Sequence, residues 1–259
     1  VAYWPGQDNY GEKYFTGGYD EVGYVGYHGF GTSTAYGLMR YTPTQAGQKL
    51  LQVGTWAVTA GATIGVEIYD NFSNSSLSNK LATISNRSCP YAGFYSLALD
   101  DTLELTKDDD IYIKVYYKTP AWGAPIPVEM QVEGYANPNI ETDRYYTRSA
   151  TGSWENAKVD TIDLCIKAYG FTNTAPVVSK PVSDTTIAEG DSLNLVYSFY
   201  DTDAAQDSLV INSVNLPDDA SANYSKNWIG NSCTGYFLWK TDKSDGGNTY
   251  QYIVSVSDG

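Results

Sequence analysis

A single histidine, His28, serves the whole chain of 259 residues. That excludes HExxH zinc sites, two-histidine metal triads and histidine-rich clusters, because each needs at least two imidazoles. A Ser-His-Asp or Cys-His relay would have to run through His28, which sits in Gly26-Tyr27-His28-Gly29-Phe30-Gly31, and no GxSxG turn is present to expose a nucleophile. His28 is therefore expected to be structural. The same loop lacks the GxGxxG or GKS/T spacing and a following helix, so it does not read as a phosphate cradle. Cysteine is scarce as well. Cys89, Cys165 and Cys233 form no CxxC pair, which argues against a zinc or thioredoxin-type site. A Cys89–Cys165 disulfide and three ordinary buried thiols are both open readings, and the odd count suits the second as well as the first.

Positive charge is in short supply: sixteen Lys and Arg face thirty Asp and Glu, a net charge of −14. Such a surface repels phosphate backbones and anionic lipid, so nucleic acid and membrane surfaces are poor partners. No stretch approaches the roughly 18 apolar residues of a membrane-spanning helix, so direct membrane insertion is not expected. The chain opens on Val1 and stops at Ser257-Asp258-Gly259 straight after a strand pattern, and it is expected to be a portion of a larger protein.

What the sequence does hold is aromatic and small. Twenty-four Tyr, twenty-four Gly, two Met and 42% hydrophobic residues describe a folded chain of strands and turns rather than helices. The expected fold class is all-β, two antiparallel β-sandwiches, the larger over residues 1–172 and a small one over 173–259. Residues 1–48 are aromatic and glycine-rich without sustained alternation and read as loops wrapping a β core. Strands are expected at Leu50–Thr59, Ala62–Tyr69, Phe94–Leu99, Ile111–Lys118, Ile126–Glu133 and Ile162–Tyr169, each bounded by turn formers. In Ile111–Lys118 the residues Ile111, Ile113, Val115 and Tyr117 share one face and Lys114 and Lys118 the other, the period of a strand buried on one side. Trp56, in mid-strand, reads as core. Asn71–Asn79 reads as a Ser/Asn-rich loop, and Asp100-Asp101 and Asp108-Asp109-Asp110 as turns. Asn71, Asn74, Asn86 and Asn223 open Asn-x-Ser/Thr triplets. Beyond Pro176 and Pro181 the strands are shorter and regularly spaced, which places a boundary at 172–175.

Ala175-Pro176-Val177, Ile187-Ala188-Glu189-Gly190-Asp191, Asp201-Thr202-Asp203, Asn215-Leu216-Pro217, Gly235-Tyr236-Phe237-Leu238-Trp239 and the closing Tyr252–Gly259 fall in the order of prokaryotic Ig-like or cadherin-like repeats, and residues 174–259 resemble such a repeat. The resemblance implies a spacer or adhesive unit of a cell-surface protein. Trp154-Glu155-Asn156 followed by Leu164–Tyr169, with Gly54–Thr59, Val66–Tyr69 and Ile111–Tyr117, resembles the lectin-like β-sandwich found downstream of papain-like cysteine peptidases in secreted prokaryotic proteins. It covers about residues 50–170. It implies a jelly-roll-like, accessory, non-catalytic first domain, since no peptidase motif accompanies it.

The leading functional expectation is an extracellular or cell-surface pair of modules that binds carbohydrate or neighbouring domains of the same protein. Aromatic faces pack on pyranose rings while acids and amides meet hydroxyls, which singles out Trp122 in the Thr119–Pro125 loop and Trp154 with Glu155 and Asn156. The competing readings are a glycosidase with two carboxylates about 5–9.5 Å apart and a structural surface-layer protein without a small ligand. Calcium is the one cofactor considered, at Asn173, Asp201 and Asp203. Glu189 and Asp258 gather at the opposite end, because the strand Leu193–Tyr200 spans about 26 Å.

Overall fold

The computed structural model describes residues 14–17, 23–179, 184–201, 210–225 and 232–257. The chain divides into two compact units, Val1–Thr172 and Asn173–Gly259. In chain order the first runs β1 (Tyr14–Gly17), β2 (Gly26–His28), β3 (Thr34–Tyr41), β4 (Gln48–Ala57), β5 (Ala62–Ser73), β6 (Ser76–Cys89), β7 (Gly93–Glu104), β8 (Ile111–Lys118), β9 (Ile126–Met130), β10 (Tyr145–Ser149), β11 (Glu155–Asn156), β12 (Ile162–Leu164) and β13 (Ile166–Thr172). One 3-10 turn, Ala157–Asp160, precedes β12. Among the described residues there is no α-helix, and the sheets are antiparallel, as expected for an all-β chain.

A four-stranded sheet in the order β1-β13-β4-β7 faces a six-stranded sheet in the order β11-β10-β3-β8-β5-β6, and a smaller sheet β12-β9-β2 accompanies them. Period-2 alternation builds the space between. Ile111, Ile113, Val115 and Tyr117 of β8 and Ala62, Ile64, Val66 and Ile68 of β5 point inward and are buried. They meet Leu50, Val53, Leu97 and Ile166 from the opposing sheet in one apolar cluster. Each such aliphatic side chain contributes about 1.5–3 kcal/mol on burial. The two sheets are also tied by a hydrogen bond through the core. The Thr55 and Tyr117 hydroxyls lie 2.7 Å apart, and Thr55 donates to the Cys165 carbonyl at 2.8 Å.

Five local expectations are corrected. Asp100 and Asp101, read as a turn, lie inside β7, which runs on past Leu99 to Glu104. The segment read as wrapping loops contains β3, an interior strand of the six-stranded sheet, paired with both β8 and β10. Its alternation is masked because Leu38, on the face away from the core cluster, is also fully buried. The Ser/Asn-rich stretch Asn71–Asn79 is the end of the β5–β6 hairpin, not a loop; Ser73 pairs with Ser76 across Asn74 and Ser75, both at positive φ. Trp56 lies on the outer side of β4, half-buried, stacked on Tyr24 at 5.5 Å and meeting Phe94 edge-on. The strand from Ile126 ends at Met130, and Pro127 and Glu129 are buried like their neighbours because β9 lies between β12 and β2. The Asp108-Asp109-Asp110 run is a turn as expected: Asp108 has positive φ, and Asp110 accepts from the Thr42 hydroxyl and faces Arg40 at 3.8 Å.

Of the two readings of the thiols, the structure takes the second. Cys89, Cys165 and Cys233 are all buried and no disulfide joins Cys89 to Cys165. Cys89 ends β6 opposite Ala62, whereas Cys165 lies between β12 and β13.

The second unit holds β14 (Val177–Val178), β15 (Ser192–Tyr200), β16 (Val210–Val214), β17 (Ala220–Ser225), β18 (Ser232–Lys240) and β19 (Ile253–Ser257), in sheets β14-β15-β18-β17 and β16-β19. Leu193, Leu195, Tyr197 and Phe199 share one side of β15, and Tyr197 and Phe199 join Cys233, Phe237 and Trp239 in the core.

Candidate functional site

The outer face of the six-stranded sheet is where the alternation that fills the core places the other half of each strand. Register sets those residues in rows. Arg148 of β10, Tyr36 of β3, Tyr116 of β8 and Gly65 of β5 lie side by side. The next row is Tyr146, Leu38, Lys114 and Glu67, and the third holds Arg40, Tyr112 and Tyr69. Apart from Leu38 and Gly65, these side chains stand half-buried on the face. Gly65 has a reason to be glycine: a Cβ there would collide with the carboxamide of Asn86, which covers the end of the first row.

The β5–β6 hairpin bends over this face. Its Phe72 packs on Tyr146 at 5.0 Å, on Tyr112 at 5.6 Å and on Trp154 at 6.3 Å between ring centroids. Trp154 in turn lies over the Arg148 guanidinium at 4.8 Å, and Arg148 lies over Tyr36 at 4.6 Å. Tyr36 also meets Tyr116 at 5.6 Å and carries the Lys114 ammonium 4.9 Å above its ring. The result is a floor of tyrosines with a hairpin wall on one side.

Glu67 is the electrostatic hinge of the floor. It accepts from Lys114 at 2.5 Å, from Lys80 at 3.2 Å and from the Tyr69 hydroxyl at 3.1 Å. Burial alone would push its carboxyl up; the hydrogen bonds from Lys114 and Lys80, with the Lys114 charge and Tyr69, outweigh that and hold it below the usual carboxylate range. Burial pushes the Tyr69, Tyr112 and Tyr146 hydroxyls up, helped at each by a nearby carboxylate. Over the neutral range the face therefore offers protonated phenols, able to donate or accept, beside an ionised Glu67.

The residues expected from sequence are distributed unevenly. Trp122 is 43% exposed and meets Tyr27, 52% exposed, edge-on at 5.2 Å. Its loop is held from both sides. Thr119 Oγ1 accepts the Trp122 N–H and donates to the Trp122 carbonyl, and the Gly31 N–H donates to the Gly123 carbonyl at 3.1 Å. Gly29 packs so tightly on Gly123 and Ala124 that no Cβ fits. Trp154 is a correction: at 8% exposure its ring is taken up by Arg148 and Phe72 and is no open platform. Asn156 is occupied too, capping the 3-10 turn through the Lys158 N–H and donating to Asp143 at 2.6 Å. Glu155 is exposed and in register with Thr147.

His28 is half-buried, edge-on to Phe30 at 5.2 Å and 3.8 Å from Asp160. Burial lowers its pKa against the opposing pull of Asp160. Glu129 and Asp163 are cross-strand neighbours, the arrangement a two-carboxylate mechanism would need. Both are fully buried. Glu129 accepts the Gly23 N–H and Asp163 accepts the Glu141 N–H with both oxygens. In the second unit Asp201 is buried and Asn173 half-buried, while Asp203 and Asp258 lie outside the described residues. Among the described residues no group of three or more His, Cys, Asp or Glu is placed to hold a metal ion.

The tyrosine floor is hard to see in the sequence because its strands read as core-forming. The signal was there: at the outward positions of β8, Tyr112 and Tyr116 stand where a purely solvated face would carry short polar residues.

No curated protein sequence matches the chain. Among solved structures, the cysteine protease and lectin-like domains of Cwp84, a surface layer associated protein of Clostridium difficile, align over 54% of this chain and 32% of that one, at 15% identity and a TM-score of 0.47. A clostridial cysteine protease Cwp84 variant after propeptide cleavage aligns over 62% of this chain and 40% of that one, at 15% identity and a TM-score of 0.50. The chain thus spans two fifths or less of the length of these proteins. The second likeness, at 15% identity, is one of fold. The family model described as the lectin like domain matches residues 18–170, more than half of the chain and nearly all of the first unit's described strands, and the chain belongs to that family.

Proposed function

We propose that the first unit is a non-catalytic carbohydrate-binding module and that the outer face of the six-stranded sheet is its binding surface. One observation carries the reading: Tyr36, Tyr112, Tyr116 and Tyr146 stand half-exposed in register on one face, interleaved with Glu67, Lys114, Arg148 and the Asn86 amide. Flat aromatic surface suits the apolar faces of sugar rings, and the surrounding donors and acceptors suit their hydroxyls. The exposed Tyr27–Trp122 pair is a smaller aromatic platform on the Thr119–Pro125 loop and serves as an accessory contact. The second unit, two antiparallel sheets around Tyr197, Phe199 and Phe237, acts as an Ig-like spacer in this reading. Both units belong, in this reading, to a protein displayed outside the cell.

A glycan array followed by affinity electrophoresis tests this. The wild type is expected to be retained by at least one polysaccharide without turnover. Tyr116→Ala is expected to weaken retention by about fivefold, which corresponds to about 1 kcal/mol for one lost aromatic contact. Tyr135→Ala, at an 80% exposed site on the Gln131–Asn137 loop, is expected to change nothing. Wild-type protein that no polysaccharide retains contradicts the proposal.

A further inference from the structure

Three of the cations around the tyrosine floor meet a carboxylate. Lys114 and Lys80 share Glu67, and Arg40 faces Asp110. Arg148 is different. Among the described residues no carboxylate lies within 4.0 Å of it, and its Nε is buried without a hydrogen-bond partner. Its guanidinium is instead clamped between the rings of Tyr36 and Trp154, at 4.6 and 4.8 Å. Cation–π contacts fix the plane of the group but do not neutralise it. A guanidinium held in place by two rings, with no carboxylate beside it, keeps its charge available to an incoming anion.

We propose that Arg148 binds the anionic group of an acidic glycan, so that the ligand of this face is a polysaccharide bearing carboxylate or phosphate rather than a neutral one. The inference rests on the carbohydrate-binding reading above and narrows it. The net charge of −14 repels a polyanion at long range, so the contact has to be made at a fixed and locally positive point. Arg148 supplies that point at the end of the Tyr36–Tyr116 row, where a sugar lying on the tyrosines would bring a ring substituent to the guanidinium. A guanidinium already held by two rings loses little freedom on binding, and its planar fork matches either oxyanion.

The test is affinity electrophoresis at about 0.15 M salt, where long-range repulsion is screened beyond about 8 Å. The probes are polygalacturonate, its fully methyl-esterified form, polyglycerol phosphate and a neutral galactan. The wild type is expected to bind polygalacturonate or polyglycerol phosphate at least tenfold more tightly than the ester and the galactan. Which of the two is retained identifies carboxylate or phosphate as the anion. Arg148→Met, which keeps an apolar stem between the rings, is expected to lose at least fivefold on the acidic polymer and less than twofold on a neutral one. If that variant fails to fold, competition on the wild type decides, with free galacturonate or glycerol phosphate expected to displace the polymer where galactose does not. Equal retention by the neutral polymers, or unchanged acidic binding in Arg148→Met, overturns the inference and leaves carbohydrate binding standing. Retention by none of the four, together with an empty glycan array, overturns both.

Discussion

The two faces of the six-stranded sheet share one backbone and the same strands, yet they do opposite work. Inward, β8 carries Ile111, Ile113, Val115 and Tyr117; outward it carries Tyr112, Lys114, Tyr116 and Lys118. Inward residues fit a closed cluster shared with β4, β7 and β13, so each is constrained by volume. Outward residues contact one another through ring edges, cations and a shared carboxylate, and they keep surface for a ligand. In the proposed reading, the contrast teaches that a period of two can encode a core and a recognition surface at once. What distinguishes the second from ordinary solvated surface is large amphipathic side chains where small polar ones would suffice.

That contrast can be broken from either side. Ile113→Ala is expected to cost about 2–5 kcal/mol in urea denaturation, because a fully buried side chain leaves a cavity that neighbouring strands cannot fill. Tyr116→Ala, three residues further along the same strand, is half-exposed and is expected to cost about 1 kcal/mol or less while weakening glycan retention. A binding defect in the first and a folding defect in the second would erase the distinction. Trp154→Ala tests the residue that joins the two roles. Its loss is expected to cost about 3 kcal/mol and also to weaken binding, because the Arg148 guanidinium then loses one of the two rings that hold it. Binding as tight as that of the wild type would show that Trp154 is packing alone.

Smaller effects sharpen the picture. The Glu67 carboxyl is held below its unfolded range, so its contribution to stability is fully present above that range, at about pH 4.3, and is lost as pH falls through the lower folded value. Glu67→Gln is expected to flatten that acid limb in chemical denaturation measured between about pH 5 and pH 2. An acid limb identical to that of the wild type would remove Glu67 from the account. Trp122→Ala is expected to shift stability least, by about 0.5 kcal/mol, since its ring is exposed and its loop is fixed by Thr119 and the Gly31–Gly123 hydrogen bond rather than by the indole. A cooperative loss of several kcal/mol in a thermal melt would mean that the ring supports the loop.

Much of the fold was legible because hydrophobic alternation is strong where one face is buried, as in Ile111–Lys118 and the inward set of β15. It failed where that condition fails. In β3 the buried Leu38 interrupts the pattern from the outer side, and the end of the β5–β6 hairpin carries only the cross-strand pair Phe72 and Leu77 among polar residues, too few for Asn71–Asn79 to show a period. The site was less legible than the fold. Trp122 could be read as exposed because it lies in a proline-rich loop, but Trp154 could not be read as buried, since its burial depends on Phe72 and Arg148, 82 and 6 positions away in the sequence. Likewise the rows of tyrosines exist only once β10, β3, β8 and β5 are in register, which no single segment reveals.

The central claim is that the tyrosine face, and not the Tyr27–Trp122 loop, is the primary binding surface. Titrating isotope-labelled protein with the best glycan from the array and following backbone amide shifts tests this directly. The account predicts the earliest and largest changes at Tyr36, Tyr116, Tyr146 and Arg148, with little change at Val53, Leu97 or Ile166 in the core. Shifts confined to Gly26–Gly31 and Thr119–Pro125, with the tyrosine rows silent, would contradict it.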